Sequence, residues 1–353
     1  MGVSQKDKIF FTEHLSLMIK GGIPIAEALE TLKEETKSKT FRKILADTLK
    51  RVLEGENLEK SFVKYPRVFD RFFLSVIRVG EKSGTLDENL KYLSSQLRKD
   101  YEMKRKITGA LIYPALIFIV AIVIVLIIIY FVIPKIIPVF QSLQAMGVVG
   151  SLPLATKFLL KLGTDLKKYG FLIPIVIIIL FLIIQYLQRI KSIKFYFDKI
   201  ILSFPFFGGI SKNLNIARFS RNLYTLLKSG TSILEALEVC AEVLPNEVYK
   251  RDLISIKLGV ERGEKISSGL KKLPQRFPPI FSEMILVGER TGSLEESTLY
   301  LSQFYTQEAD TALQNISEVI GPVLLILIGI LVVFIALATI IPIFRFIGEI
   351  KVR

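Results

Sequence analysis

"VGEKSGTLDE" occupies residues 79–88, and "VGERTGSLEE" occupies 287–296. Glycine, lysine, serine and threonine crowd together as in a phosphate-binding loop, but their order is wrong. That loop needs lysine directly after its second glycine, so that the ammonium and a run of backbone N–H groups surround one polyphosphate. Here Lys82 precedes Gly84. The segment from Gly259 to Lys265 also has the wrong spacing and follows no strand-like run. Both stretches read instead as helix punctuation. Gly84 and Gly292 suit the left-handed conformation that ends a helix, because they have no Cβ to clash. Thr85 with Glu88, and Ser293 with Glu296, have the S/T-x-x-E spacing of a capping box. Each stretch predicts a tight turn between two helices.

The two stretches lie 208 residues apart, and the offset holds elsewhere without a gap. Phe11 pairs with Phe219, Gly22 with Gly230, and "EALE" at 27–30 with "EALE" at 235–238. Gly55-Glu56 pairs with Gly263-Glu264, Pro66 with Pro274, Phe69 with Phe277, Pro114 with Pro322, and Pro134 with Pro342. Such internal repetition fixes the architecture before any local reading. Inside each copy the period is helical: Leu86, Leu90, Leu93 and Leu97 recur at spacings of four, three and four. No run alternates as a strand would. Each copy predicts about six helices packed as a bundle.

Each copy runs into an apolar stretch. Residues 110–133 and 319–344 carry no charge inside the apolar run and exceed the roughly 20 residues that cross a bilayer. Residues 171–187 form a shorter third stretch within the approximate 17–25 range. The expected fold is an all-α membrane protein with two homologous six-helix cytoplasmic bundles and three transmembrane helices. The expected divisions are a first helical domain (1–109), a first span (110–133) and an outer loop (134–168). A second span (169–188), a second helical domain (189–318), a third span (319–344) and a short outer tail (345–353) follow. Prolines at the span ends (Pro114, Pro134, Pro322, Pro342) are candidate hinge positions.

Two similar domains belong on one side of the membrane, which the two intervening spans allow. The N-terminal residues alternate charged and apolar side chains, unlike an export signal. Position 6 is lysine, which breaks the myristoylation pattern. Six Lys/Arg in 90–109 and four in 189–203 favour the cytoplasm, although the outer loop holds five. The expectation is a multi-pass membrane protein with its N-terminus in the cytoplasm.

The net charge of +14 is spread thinly over the chain. Nucleic-acid binding would want a concentrated basic face with stacking aromatics, so anionic lipid is the simpler partner. A single cysteine, Cys240, excludes an internal disulfide and a cysteine zinc cluster. The single histidine, His14, reads as a packed or capping residue. No ionisable residue lies within a span, which makes a poor path for solutes or protons. An aspartyl enzyme acting at the membrane would need paired aspartates at the membrane face, and none appear.

These residues resemble the inner-membrane platform proteins of type IV pilus and type II secretion machines, the type II secretion F-domain family. The resemblance rests on "HLSLMIKGGIPIAEALETL" (14–32), "VGEKSGTLDENL" (79–90), "ALIYP" (110–114) and "SLPLAT" (151–156). In the second half it rests on "FPFFGGISKNLNIARFSRNLYTLLKSGTSILEALE" (204–238) and "VGERTGSLEE" (287–296). It covers nearly the whole chain. Two departures stand out. The first repeat begins almost at once, so a contact made by the family's longer leader is not expected. Gly321-Pro322 opens the third span where many members carry an acid before the proline, so inferences from that acid do not transfer.

The resemblance implies a non-enzymatic scaffold that couples a hexameric cytoplasmic assembly or retraction ATPase to extraction of pilin or pseudopilin transmembrane helices. Other inner-membrane assembly proteins, further copies of the chain and membrane lipid are the remaining implied partners. A competence DNA-uptake pseudopilus is an alternative machine, and a small-solute transporter a more distant one. No catalytic, cofactor or metal residue is expected. Glu81, Glu88, Glu289 and Glu296, at the acidic ends of the hairpins, are the candidate partner contacts.

Overall fold

The computed structural model describes residues 2–132, 172–187, 190–204 and 207–350, with isolated residues between 134 and 161. Most of the expected outer loop, including "SLPLAT", lies outside them, as do the last three residues. The described residues contain helices and turns and no strand.

The first half forms α1 (Gln5–Lys20), α2 (Ile25–Glu35), α3 (Lys39–Leu53), α4 (Leu58–Val63), α5 (Arg71–Ser83) and α6 (Leu86–Ile127). A π-helical turn, Ile128–Val132, ends α6. After α7 (Leu172–Leu187) and α8 (Lys191–Ser203) comes a second set. It comprises α9 (Phe207–Lys228), α10 (Ile233–Val243), α11 (Glu247–Glu261), α12 (Ile266–Lys271), α13 (Pro279–Thr291) and α14 (Leu294–Ile350). From α2 to α5 every helix boundary recurs 208 residues later, and α6 and α14 begin at the same offset. Among the described residues the second set runs from α9 to α14, with α8 ahead of it.

The boundaries follow from local chemistry. Ser4 and Asp7 close a reciprocal capping box at the start of α1, Ser38 caps α3, and Asp70 caps α5. In the second half Ser232 caps α10, and the Asn246 side chain accepts from Val248 and Tyr249 at the start of α11. The turns at Gly84 and Gly292 both have φ 72°. That region costs an L-residue with a Cβ roughly 1–2 kcal/mol. The capping boxes expected just after these glycines do not form. The Thr85 hydroxyl lies 2.6 Å from Ser83 Oγ, and the Ser293 hydroxyl meets Thr291 Oγ1 in the same way. Glu88 and Glu296 stay exposed. The preceding turn offers each hydroxyl a closer partner than the next helix does.

Pro114 and Pro322 begin apolar stretches but do not end helices. Pro114 lies inside α6, and Pro322 and Pro342 lie inside α14, because each helix runs unbroken from charged sequence into apolar sequence. A proline within a helix loses one hydrogen bond, a loss that membrane helices tolerate. Pro134 follows the π-helical turn by two residues.

Two compact units result: residues 1–107 with 191–312, and residues 108–190 with 313–353. Both repeats thus belong to the first unit and share one hydrophobic core. In the first repeat, buried Phe11, Phe41, Phe62, Phe69 and Phe73 pack with ring centroids as close as 4.1 Å. In the second, Phe219, Tyr249, Phe277 and Phe281 occupy the matching positions, and Leu270 replaces the ring of Phe62. Tyr249 stands where the first repeat has Phe41. Its buried hydroxyl needs a partner and donates to the Arg276 carbonyl at 3.1 Å.

In the second unit, the apolar parts of α6 and α14 are long and apolar enough to cross a membrane. Their outward side chains are almost entirely apolar, as lipid would require. Tyr113 sits against Gly321, where an added Cβ would come within 3.1 Å of the ring. These two residues are repeat equivalents, each followed by proline.

Candidate functional site at the glycine hairpins and the repeat interface

The V-G-E motif serves three structural tasks within four or five residues. Gly80 lets α5 approach α6: a Cβ there would stand 3.0 Å from Leu86 Cα and from the Asn89 amide nitrogen. Gly288 does the same in α13, with Ser297 Oγ at 2.6 Å and Leu294 Cα at 3.0 Å from the added carbon. Gly84 and Gly292 then reverse the chain.

The glutamates between these glycines point inward to a helix start. The six-residue α4 follows Asn57, whose side chain makes no cap. The Glu81 carboxylate fills that role from α5, accepting from Leu58 N at 2.6 Å and Glu59 N at 3.0 Å. Lys265 likewise gives α12 no cap. Glu289 accepts there from Ile266 N at 2.6 Å and Ser267 N at 3.2 Å, and also from the Ser267 hydroxyl. A carboxylate on the first N–H groups of a helix satisfies orphan donors and complements the helix dipole. Glu81 and Glu289 are therefore engaged inside their repeats. Glu88 and Glu296 remain exposed at the start of α6 and α14.

The repeats meet through groups the sequence reading did not single out. On α5, Arg71 donates to Glu238 at 2.8 Å and pairs with Glu242, while Arg78 pairs with Glu235. These three acids lie along one face of α10, and Lys257 joins Glu238 at 2.8 Å. Hydrogen bonds from Lys257 and then Arg71 hold the Glu238 carboxyl below its usual range. Deeper in, Gln96 donates to Asn222 at 2.8 Å, and Asp100 pairs with the Arg221 guanidinium. Burial pulls the Arg221 pKa down, against the pull of Asp100.

This interface is head-to-tail. The acidic row of α10 has its equivalents in Glu27, Glu30 and Glu34 on α2, all exposed. Arg71 and Arg78 have no basic equivalents, since Pro279 and Leu286 stand at the offset. Both copies carry the acids, and only the first carries the arginines that meet them. That asymmetry was the available signal: charged positions at which the two copies disagree.

Among the described residues no cluster of three or more His, Cys, Asp or Glu could hold a metal ion. Burial pushes the Cys240 thiol far up, out of the range of a reactive thiolate.

A family model described as type II secretion system protein F matches residues 11–134 and again 219–342, two stretches separated by the same 208 residues. The chain belongs to this protein F family. Its relatives within the family extend over nearly its full length. The type IV pilus assembly protein PilC of Thermus thermophilus is 31% identical over 353 residues, covering 100% of this chain and 85% of the relative. The type II secretion system protein F of Vibrio cholerae is 29% identical over 342 residues, covering 97% and 83%. PilC of Myxococcus xanthus is 28% identical over 350 residues, covering 99% and 82%. One copy of the duplicated motif falls inside each matched stretch.

Proposed function

We propose that this protein is the inner-membrane platform of a type IV pilus or type II secretion machine, and that it acts without catalysing a reaction. It would couple a hexameric cytoplasmic ATPase to the extraction and polymerisation of pilin or pseudopilin subunits. The observation that carries this reading is the continuity of α6 and α14. Each is a single helix whose first turns pack in a repeat core and whose later turns are apolar and outward-facing. The helical repeats and the apolar segments are thereby linked through two helices and not through loops.

The arrangement proposed is a multi-pass protein with its N-terminus in the cytoplasm. Spans at 110–133, 169–188 and 319–344 separate cytoplasmic domains at 1–109 and 189–318 from an outer loop at 134–168 and a tail at 345–353. Other inner-membrane assembly proteins, further copies of the chain and lipid complete the partner set. Glu88 and Glu296, exposed where α6 and α14 begin, are the proposed hairpin contacts for the ATPase. Pilin helices would lie against the apolar surface of the spans.

The test is biochemical. The cognate ATPase is assayed with and without the detergent-solubilised chain, and then with Glu88→Lys and Glu296→Lys together. Stimulation by the unaltered chain and its loss in the double variant support the coupling. An ATPase whose rate and binding ignore the chain would count decisively against it.

A further inference from the structure

Helix α8 carries a dense run of exposed large apolar side chains in the repeat-bearing unit. Tyr196, Ile200 and Phe204 are 66%, 62% and 56% exposed, and Ile201 beside them is 43% exposed. The spacing of Tyr196, Ile200 and Phe204, four residues each time, puts them along one helix face and its immediate end. The opposite face is fastened to the second repeat. Lys194 donates to the Pro245 carbonyl at 2.6 Å, Asp198 accepts from Glu247 N at 2.8 Å, and the Arg251 guanidinium lies 3.9 Å from the Phe195 ring centre. These bonds fix the rotation of α8, so the apolar stripe cannot turn inward.

Only residues 188–190 separate α8 from the end of α7. Three residues of extended chain span at most about 11 Å. Where α7 crosses a membrane, α8 therefore starts at its surface. Its composition suits that position. Tyrosine and phenylalanine favour the headgroup level, and Arg189, Lys191 and Lys199 lie in the same short segment. Lys199 is exposed next to the stripe, where its charged end can reach lipid phosphate while its stem covers apolar surface.

We propose that α8 is an interfacial helix, its Tyr196–Ile200–Phe204 stripe seated in the acyl–headgroup boundary of an anionic bilayer. The second repeat, to which α8 is bonded, would thereby gain a contact with the bilayer beyond its chain link to α7. The inference rests on the reading of 169–188 as a span.

The chain contains no tryptophan, so one introduced indole reports from one place. Full-length Tyr196→Trp is reconstituted in vesicles of phosphatidylcholine and phosphatidylglycerol, with plain or brominated acyl chains. Leu182→Trp in α7 and Leu53→Trp at the end of α3 serve as references, and Ile200→Trp repeats the reading on α8. The expected result is a blue-shifted emission for Tyr196→Trp and Ile200→Trp that brominated lipid largely abolishes and aqueous iodide hardly touches. Leu182→Trp should respond to brominated lipid, and Leu53→Trp to iodide alone. Quenching of the α8 indoles by iodide alone, with Leu182→Trp still quenched by lipid, would overturn the proposal while leaving the span intact. Shielding from both quenchers would also overturn it, because a second copy or another protein would then cover the stripe. Insensitivity of Leu182→Trp to lipid would remove the span itself, and this inference with it.

Discussion

The Glu81 carboxylate lies 2.6 Å from the backbone nitrogen of Leu58, and the Glu289 carboxylate lies 2.6 Å from that of Ile266, its equivalent 208 residues on. The two most tightly matched motifs of the repeat thus hold the start of a six-residue helix that has no side-chain cap of its own. A helix that short is marginal in water and depends on tertiary support. Glu81→Ala should therefore cost about 0.5–2 kcal/mol, the range for losing a helix cap. Glu81→Gln, which keeps one acceptor, should cost less. Thermal unfolding of the detergent-solubilised protein measures both, and a midpoint unchanged in Glu81→Ala would refute the assignment.

The glycines of the same motif should separate by mechanism. Gly288→Ala drives a carbon to within 2.6 Å of Ser297 Oγ and 3.0 Å of the Leu294 backbone. Overpacking of this kind costs roughly 1–3 kcal/mol. The companion substitution Ser297→Gly should recover part of that loss, since it removes the closest atoms. Gly292→Ala meets no atom within 4 Å but sits at φ 72°, so no neighbouring substitution should rescue it. Midpoints of the single and paired variants decide the matter.

Across the repeat interface, burial should outrank the number of charges. Arg71 and Glu238 are both well exposed, with side-chain accessibilities of 52% and 38%. Pairs of that kind contribute about 0.2–1 kcal/mol. Arg221 is 5% exposed where it meets Asp100, itself 31% exposed, so its removal should cost more than an exposed pair but less than the roughly 3–5 kcal/mol of a fully buried one. Arg221→Ala should destabilise more than Arg71→Ala. The reverse order would show that the repeats are held chiefly by the outer arginines.

Acid should loosen the same interface. The Glu238 carboxyl is held below its ordinary value of 4.5 by Lys257 and then Arg71. A carboxylate depressed in the folded state adds stability above its unfolded pKa and loses it as pH falls through the folded value. The thermal midpoint should therefore drop as pH falls below about 4.5. Glu238→Gln should flatten part of that slope. Asp252, whose carboxyl burial pushes up, works in the opposite sense in both proteins and cancels in the comparison. Identical slopes would remove Glu238 from the account.

Much of the fold was legible because duplication checks every local reading twice. The glycines that end helices, Leu86 and Leu93 of the helical period, and the shared phenylalanines appear in both copies at one offset. The capping boxes were misread because Ser83 and Thr291 offer nearer hydroxyl partners than Glu88 and Glu296 do, a contest that spacing alone does not reveal. The tasks of Glu81 and Glu289 were hidden for a related reason: their donors lie 22 and 23 residues away in sequence. The interface arginines were hidden by the repeat itself, because attention to what the copies share passes over Arg71 and Arg78.

The central claim is that two copies of one helical unit pack together on a single side of the membrane and continue into its spans. Cysteines introduced singly by Leu53→Cys and Ile254→Cys, both at exposed positions, can be challenged with a membrane-impermeant thiol reagent. Cys240, fully buried, gives little background. In intact cells neither introduced thiol should react, and both should react once the inner membrane is permeabilised. Labelling of one position in intact cells and of the other only after permeabilisation would place the copies in different compartments and contradict the account.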